Sequence, residues 1–250
     1  MKLEEIKKTL TGRTAERIQP PHAKPSAVLI PLLETEAGIS ILFEKRSADV
    51  RQGGEICFPG GRIEKTAGPA IMEASESFVE PDITAVSGSA AESCHAGSVY
   101  ERPEDAAVRE TAEELLIAKE QIEVIAPMHC MPGPGGGDVT SVLGILHDYH
   151  GTYAEAEVAE VFTIPLSWFA EHPPLIHKAR MQAELNEDFP YHLIPGGRAY
   201  PMRSIPRRFY FYETEYGVIW GMTAELLFHF LQEILRIQIY HHRDIRSAGP

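Results

Sequence analysis

Short apolar runs separated by turn-forming residues dominate the pattern in the first part of the chain. The run AVLIPLL (27–33) is followed by ETEAG, which has the composition of a turn, and then by ISILFEKR (39–46). Apolar runs of this length with turn residues beside them are typical of β-strands. The pattern therefore predicts two neighbouring strands that form a hairpin or part of a meander.

Further strands are predicted where the same pattern returns. The glycine-rich loop at 132–138 separates the predicted strands 121–127 and 141–149, and the strand that begins at 157 leads into a short helix. The predicted strand segments are QIEVIAP (121–127), SVLGILHDY (141–149), the first part of EVAEVFTIPLSWFAEHPP (157–174), YHLI (191–194) and RFYFYETEYGVIW (208–220).

Helices are predicted where apolar residues recur every three or four positions. Leu3, Ile6 and Leu10 have this spacing near the N-terminus. A second helix is predicted to begin at Pro103, because proline and the acids that follow it are favoured in a first helical turn. TAELLFHFLQEILRI (223–237) predicts a closing helix.

The segment 65–98 lies between the predicted strands and the second helix. It is rich in small polar residues, contains two prolines and has weak periodicity. Loops of this length are usually functional lids or surface segments. The sequence leaves both interpretations open.

Composition and charge narrow the class of protein. The chain has 250 residues, 44% of them hydrophobic, and a formal net charge of −13, which disfavours binding to nucleic acid or to anionic membranes. No apolar run is long enough to span a bilayer, and the N-terminus has no signal-peptide pattern. The three cysteines, Cys57, Cys94 and Cys130, fit neither a disulfide framework nor a zinc knuckle. We expect a soluble, cytoplasmic protein.

Three carboxylates share one face of the helix that contains RETAEELLI (109–117). Glu110, Glu113 and Glu114 fall within an arc of roughly 100°, because successive helical residues are about 100° apart. Like charges at this spacing repel each other. Either water screens them, as on an ordinary solvated helix face, or a divalent cation binds them.

Neighbouring residues favour the cation. FPGG (58–61) ends a further short apolar strand, and its glycines allow the backbone to approach an ion closely. Glu101 adds an acid just before the helix. Arg109 is four residues before Glu113, so it can hold that carboxylate while Glu110 and Glu114 stay free.

These residues resemble the Nudix box, G-x5-E-x7-R-E-U-x-E-E-x-G-U, where U is a bulky apolar residue. Glu101, seven further residues and then 109–117 match its second half, and Gly60 to Glu64 match its start. Residues 65–98 take the place of the short spacer. Leu116 stands where the box has glycine, which is expected to change how the helix ends, and Thr111 stands at a usually apolar position.

The residues before the box resemble the coenzyme A pyrophosphatase branch of that superfamily. The resemblance lies in KRSADVRQGGEICFPGG (45–61), with Arg51 one place nearer to Gly54 than in the pattern of the branch. EVAEVFTIPL (157–166) and IWGMTAELL (219–227) are also similar to segments of that branch.

The resemblance implies an α+β fold, an α/β/α sandwich with a mixed sheet flanked by helices. It implies one Nudix-like domain over residues 1–250, with 65–98 inserted in the box and 166–250 as a C-terminal extension. Carried over by position, Mg²⁺ or Mn²⁺ would be bound by Glu110, Glu113, Glu114 and the Gly60 carbonyl. Arg109 would orient a glutamate.

Other roles are assigned with alternatives. The general base is Glu113, Glu114, or an acid outside the box such as Glu157 or Glu160, which could equally be surface acids. Glu101 is either a ligand or a support for one. The predicted contacts to substrate phosphates are Arg46, Arg51 and Arg62, whose alternative role is ordinary surface charge.

The resemblance implies hydrolysis of a nucleoside diphosphate linkage. The main hypothesis is coenzyme A or an acyl-CoA as substrate, giving 4′-phosphopantetheine and adenosine 3′,5′-bisphosphate. Alternatives are another substrate such as ADP-ribose, or a Nudix-like binding module without turnover. The predicted partner is a small nucleotide, with neither nucleic acid nor membrane. The oligomeric state stays open, a homodimer included.

Overall fold

The computed structural model describes residues 23–65, 100–133 and 136–235. The helix predicted around Leu3 to Leu10 and nearly all of the predicted insertion lie outside these residues. Within the described residues, none of the helices is long and apolar enough to cross a membrane.

The described residues form two β-sheets. A main sheet contains seven strands: β1 (Ser26–Thr35), β2 (Gly38–Arg46), β3 (Ile56–Cys57), β4 (Gly60–Arg62), β5 (Ile122–Pro132), β6 (Asp138–Leu146) and β7 (Val158–Pro165). A second sheet contains three: β8 (Leu175–Met181), β9 (Ile205–Thr214) and β10 (Gly217–Ile219). The α-helices of this part of the chain are α1 (Pro103–Leu115), α2 (Leu166–Glu171) and α3 (Gly221–Ile234).

The main sheet is mixed. β1 pairs with β6 in parallel and with β2 and β4 antiparallel, while β2 also pairs with β3 and β7. The predicted hairpin is confirmed, because Thr35 lies opposite Gly38 across a two-residue turn. β4 lies beside the first half of β1, with Gly60 opposite Val28. This pairing brings FPGG into the sheet next to α1.

Helices cover the main sheet on both faces. Ala27, Leu29 and Leu42 belong to the buried cluster that contains Leu115 of α1. Side chains of the opposite face join a second cluster with residues of β9 and α3, among them Ile30, Phe43, Phe162, Tyr210, Tyr212 and Leu227. The predicted α+β class and the mixed sheet between helices are thus confirmed. The shared core supports the single domain with the extension 166–250, which stays a prediction.

Two segments differ from the sequence prediction. YHLI was predicted to be a strand, but Tyr191–Leu193 form a 3₁₀ turn. Pro190 precedes this turn and the Gly196–Gly197 pair follows it, and both breakers oppose a strand. The strand β8 (Leu175–Met181) was not predicted, because LIHKARM is mostly exposed and lacks the apolar alternation of a buried strand.

The helix α1 begins at the predicted residue. Pro103 occupies its first turn with Glu104 and Asp105. Leu116 ends it in the left-handed conformation, with φ 53° and ψ 47°, where the box has glycine. The helix therefore ends as a glycine would end it, and the expectation that the loss of this glycine changes the helix end is wrong. The left-handed region is unfavourable for a side chain with a Cβ atom.

Leu116→Gly is expected to stabilise the chain by about 1 kcal/mol. The substitution relieves the left-handed backbone, and the lost side chain is 60% exposed and contributes little to the core. Chemical denaturation measures the free energy of unfolding. Leu116→Ala, which keeps a Cβ atom, should not give this gain, and equal stability of both variants would contradict the explanation.

The two flanks of the insertion meet at one point. Lys65 and Tyr100 form an antiparallel bridge, and the Glu101 amide donates to the Glu64 carbonyl at 3.0 Å. The Glu64 amide in turn donates to Glu101 Oε1 at 2.8 Å. The chain therefore leaves and re-enters the described structure at neighbouring positions, next to the start of α1.

Replacing residues 66–99 with Asn-Gly is expected to leave the fold intact. A two-residue Asn-Gly turn connects antiparallel partners, and Lys65 and Tyr100 are already such partners. We expect the melting temperature to change by no more than a few degrees, as measured by circular dichroism. An unfolded deletion variant would show that the segment contributes to the core.

Candidate metal and active site

The three acids of α1 differ in exposure according to their place on the helix. The side chain of Glu113 is 63% exposed and that of Glu110 is 20% exposed. Glu114, at the other edge of the arc, is 5% exposed. The acidic face therefore turns from solvent toward the main sheet, and Glu110 and Glu114 are the two that face the β4 segment.

Gly60 and Gly61 contact the carboxylates of Glu114 and Glu110. The Gly60 amide donates a hydrogen bond to Glu114 Oε2 at 2.7 Å. A Cβ atom on Gly61 would lie 2.3–2.6 Å from the carboxylate atoms of Glu110, so the carboxylate occupies the space of a missing side chain. FPGG therefore contacts the acidic helix through both glycines. The role of the Gly60 carbonyl stays a prediction.

The Arg109 guanidinium connects several groups of the site. Its guanidinium donates to Glu101 Oε1 at 2.6 Å, to Glu110 Oε1 at 2.8 Å and to the Arg62 carbonyl at 2.9 Å. It is 3.8 Å from Glu113 Oε2. Arg109 thus contacts Glu110 as well as Glu113, so the prediction that Glu110 stays free of this arginine is wrong. Its role in orienting a metal-binding glutamate stays a prediction.

The ion pair with Arg109 keeps Glu101 ionised. Although burial acts to raise the pKa of Glu101, hydrogen bonds from Arg109 and from the Glu64 amide outweigh burial, and this pKa is lowered. Glu101 is consequently ionised and contacts Arg109 and the Glu64 amide. Among its two predicted roles, these contacts favour the support of a ligand.

Glu44 is a fourth carboxylate at the site that the sequence prediction missed. It is 1% exposed and lies on β2 between β3 and β7, opposite Cys57 and Val161. Cys57 Sγ donates to Glu44 Oε1 at 3.2 Å. Side chains two positions apart share a face of a strand, so Glu44 shares the α1 side with Leu42. This alternation of side chains along β2 was the sequence signal that could have revealed Glu44.

Burial and mutual repulsion perturb the two buried carboxyls. Desolvation by burial is the main cause that raises the pKa of Glu114 to about 9, and the charges of Glu44 and Glu110 add to it. Burial also raises the pKa of Glu44, against the opposing effects of the Cys57 hydrogen bond and of Arg46. Both carboxylates are therefore unfavourable as anions without further positive charge nearby.

The loop before β7 closes over the end of α1. The Ala154 amide donates to the Glu114 carbonyl at 2.8 Å, and Thr152 Oγ1 donates to the Leu115 carbonyl at 2.6 Å. Glu157 follows on this loop with an exposed side chain, and its charge contributes to raising the pKa of Glu44. Glu160 is exposed opposite Lys45. Of the two predicted outside bases, Glu157 is the one whose charge reaches Glu44.

The predicted phosphate-binding arginines differ in their surroundings. Arg46 is partly buried, donates to the Arg51 carbonyl at 3.1 Å and lies 3.9 Å from Cys57 Sγ, on the side of Glu44. Arg51 and Arg62 are exposed, in the loop after β2 and at the end of β4. Their binding role stays a prediction.

The donor set fits a hard divalent cation. Within the described ranges, no three His, Cys, Asp or Glu side chains already form a group that could hold a metal ion. Yet Glu44 Oε2 is buried without a hydrogen-bond partner, beside Cys57 and within electrostatic reach of Glu114. Carboxylates completed by carbonyls, waters and substrate phosphates are the ligands that Mg²⁺ and Mn²⁺ take.

In a chelator, the free energy of unfolding is expected to fall between pH 5.5 and pH 8.5. The native pKa of Glu44 and of Glu114 is raised above the ordinary 4.5 by burial, so the native state binds more protons than the unfolded state in this range. Their contribution is complete below pH 4.5 and is lost as the pH rises through the native pKa values.

Urea denaturation at both pH values measures this loss, which we expect to be of the order of a few kcal/mol. Glu114→Gln should flatten the pH dependence, whereas the exposed Glu120→Gln should not. Stability that rises between these pH values in wild type and in Glu114→Gln alike would contradict the assignment.

The fold and the site together define an α+β protein with a carboxylate-bearing helix packed against a Gly-Gly strand. No protein-family model matches the chain. The chain is 31% identical over 148 residues to the uncharacterized Nudix hydrolase NudL of Enterobacter sp. strain 638, covering 58% of this chain and 59% of that protein. It is 29% identical over 170 residues to the peroxisomal coenzyme A diphosphatase NUDT7 of Mus musculus, covering 66% and 56%.

The chain is thus similar in sequence to Nudix hydrolases, and the similarity extends over more than half of its length. The chain spans less than two thirds of the length of either relative. Among solved structures, the Nudix hydrolase RenU of M. smegmatis is 22% identical with a TM-score of 0.38, over 60% of this chain and 77% of that one.

Proposed function

We propose that the chain is a metal-dependent pyrophosphohydrolase that cleaves the diphosphate linkage of coenzyme A or an acyl-CoA. The products are 4′-phosphopantetheine and adenosine 3′,5′-bisphosphate. The observation that carries the proposal is the pair Glu110 and Glu114, held against Gly61 and Gly60 beside a further buried carboxylate. Such a group of acids is stable when a divalent cation shares it.

The residues of this site would position the cation as follows. Glu110, Glu113 and Glu114 supply carboxylate oxygens, and the Gly60 carbonyl supplies another. Glu113 is the most exposed of them and must turn from Arg109 to contribute. Bound Mg²⁺ or Mn²⁺ supplies charge neutralisation to the diphosphate and makes a coordinated water more acidic.

The protein fixes the rest of the geometry. Arg109 locks Glu110 to Glu101, and the Gly60 amide holds one oxygen of Glu114. For the proton acceptor, Glu113, Glu114 and Glu157 remain our candidates. The position of Glu157, on the loop that caps α1 and within electrostatic reach of Glu44, supports it over Glu160.

Coenzyme A is favoured by the segment before the box and by one relative. KRSADVRQGGEICFPGG resembles the coenzyme A branch, and the mouse relative is named a coenzyme A diphosphatase. Arg51 and Arg62 are exposed and available to phosphates, including the 3′-phosphate, and we assign them this role with Arg46. We also propose a cytoplasmic location, from the cysteine pattern.

The test is hydrolysis by the purified full chain. Coenzyme A, ADP-ribose and NADH are each incubated with Mg²⁺, with Mn²⁺ and with chelator, and the products are separated by chromatography. Release of adenosine 3′,5′-bisphosphate that stops in chelator is the expected result. Cleavage of ADP-ribose or NADH alone would replace the substrate assignment, and no cleavage of any compound would favour a binding module.

A further inference from the structure

Glu44 has one oxygen that the described protein atoms leave unsatisfied. Oε1 accepts a hydrogen bond from Cys57, but Oε2 is buried and has no partner. An ionised Oε2 lacks a donor, and a protonated Oε2 lacks an acceptor. Since a buried polar group without a partner is costly in either state, this oxygen requires a partner from outside the described residues.

The charges around Glu44 determine what kind of partner fits. Arg46 approaches from the Cys57 side, while Glu114 and Glu157 contribute negative charge. Arg46 also donates to the Arg51 carbonyl. Arg109 is occupied by Glu101 and Glu110. The groups around Glu44 Oε2 therefore carry more negative than positive charge, and their carboxylate oxygens can bind a metal ion. Such surroundings favour a small cation over an anion or a neutral hydrogen-bond donor.

We propose that Glu44 is an additional carboxylate of the cation site, which contacts the divalent ion of Glu110 and Glu114 directly or through one water. The inference rests on the proposed function, because it assumes that these two acids of α1 bind the ion. It goes beyond the box, since Glu44 lies on β2, far from α1 in sequence. The strand pairing of β2 with β3 places it beside Cys57 and FPGG.

The experiment is a calorimetric titration of the full chain with Mn²⁺ alone. Glu44→Gln keeps the size of the side chain and an oxygen that can accept from Cys57. We expect this variant to lower Mn²⁺ affinity by about tenfold or more, the range seen when residues that support metal sites are removed. The control Glu36→Gln removes the same charge from an exposed turn between β1 and β2 and should leave the affinity unchanged.

A second readout separates a ligand from a structural residue. In chelator, Glu44→Gln should raise the melting temperature at pH 8 by about 2–4 °C, because it removes a buried negative charge. A purely structural Glu44 predicts the opposite pair of results, with unchanged Mn²⁺ affinity and a lower melting temperature. That pair would overturn the inference.

The outcomes also separate this inference from the proposed function. If Glu114→Gln loses Mn²⁺ affinity while Glu44→Gln retains it, the inference fails and the α1 site stands. If the wild-type chain binds no Mn²⁺, both fail. Should Glu44→Gln not fold, Glu44→Asp decides, since it keeps the charge but withdraws the carboxylate by one methylene. We expect it to lose affinity, and wild-type affinity in Glu44→Asp would then overturn the inference.

Discussion

Glu114→Gln is expected to slow metal-dependent hydrolysis of coenzyme A by about 10²–10³-fold or more, the cost of removing a group that stabilises charge in an active site. Glu114 is the buried acid of α1, and Gly60 fixes its orientation. A glutamine keeps an acceptor for the Gly60 amide, so the local backbone should not change. The lost charge, however, weakens the hold on a cation.

The measurement is steady-state kinetics with Mg²⁺, together with the melting temperature in chelator. We expect the melting temperature to stay the same or to rise, because a buried carboxyl with a raised pKa is removed. Glu120→Gln, an exposed substitution beyond the end of α1, is the control and should keep full activity. Full activity of Glu114→Gln would place the chemistry elsewhere.

Gly61→Ala is expected to lower the activity by about 10²-fold without unfolding the chain, as small displacements of positioned groups do. The new Cβ would meet the carboxylate of Glu110 at 2.3–2.6 Å. That carboxylate is the end of a flexible side chain, so it can move away at little cost in stability. Moving it takes Glu110 away from the β4 segment and from Glu114.

Gly60→Ala provides the contrasting variant. Its Cβ would lie 2.4 Å from the Ala27 carbonyl oxygen and 2.5 Å from Val28 Cα, and φ is +146°. Backbone atoms of β1 cannot yield as a side chain does, so we expect a loss of stability of at least about 3 kcal/mol. Thermal melts and kinetics of both variants test the pair. Equal stability losses would contradict the different roles of the two glycines.

The sequence predicted the elements whose signals are local. Pro103 and the acids after it mark the start of α1, and the spacing of Glu110 and Glu114 places them on one face. The β1–β2 hairpin follows from two apolar runs around a short turn. These features depend on residues within a few positions of one another, so a sequence pattern can reveal them.

The remaining features depend on contacts between distant segments. Glu44 is buried in the main sheet between β3 and β7, two strands that come from distant parts of the chain. Glu110 contacts Arg109 because Glu101 and the Arg62 carbonyl hold the guanidinium in that position. The carbonyls of Glu114 and Leu115 in the last helical turn accept hydrogen bonds from the loop at 152–154, which lies far along the chain.

Anomalous diffraction from crystals of the full chain grown with Mn²⁺ tests the central claim most directly. The claim is that Glu110 and Glu114, brought to Gly60 and Gly61, bind a divalent cation. It predicts an anomalous peak at about 2.0–2.3 Å from oxygens of both carboxylates, the usual range for small divalent ions with oxygen ligands. A fully occupied Mn²⁺ elsewhere in the molecule, with no peak beside these two residues, would contradict it.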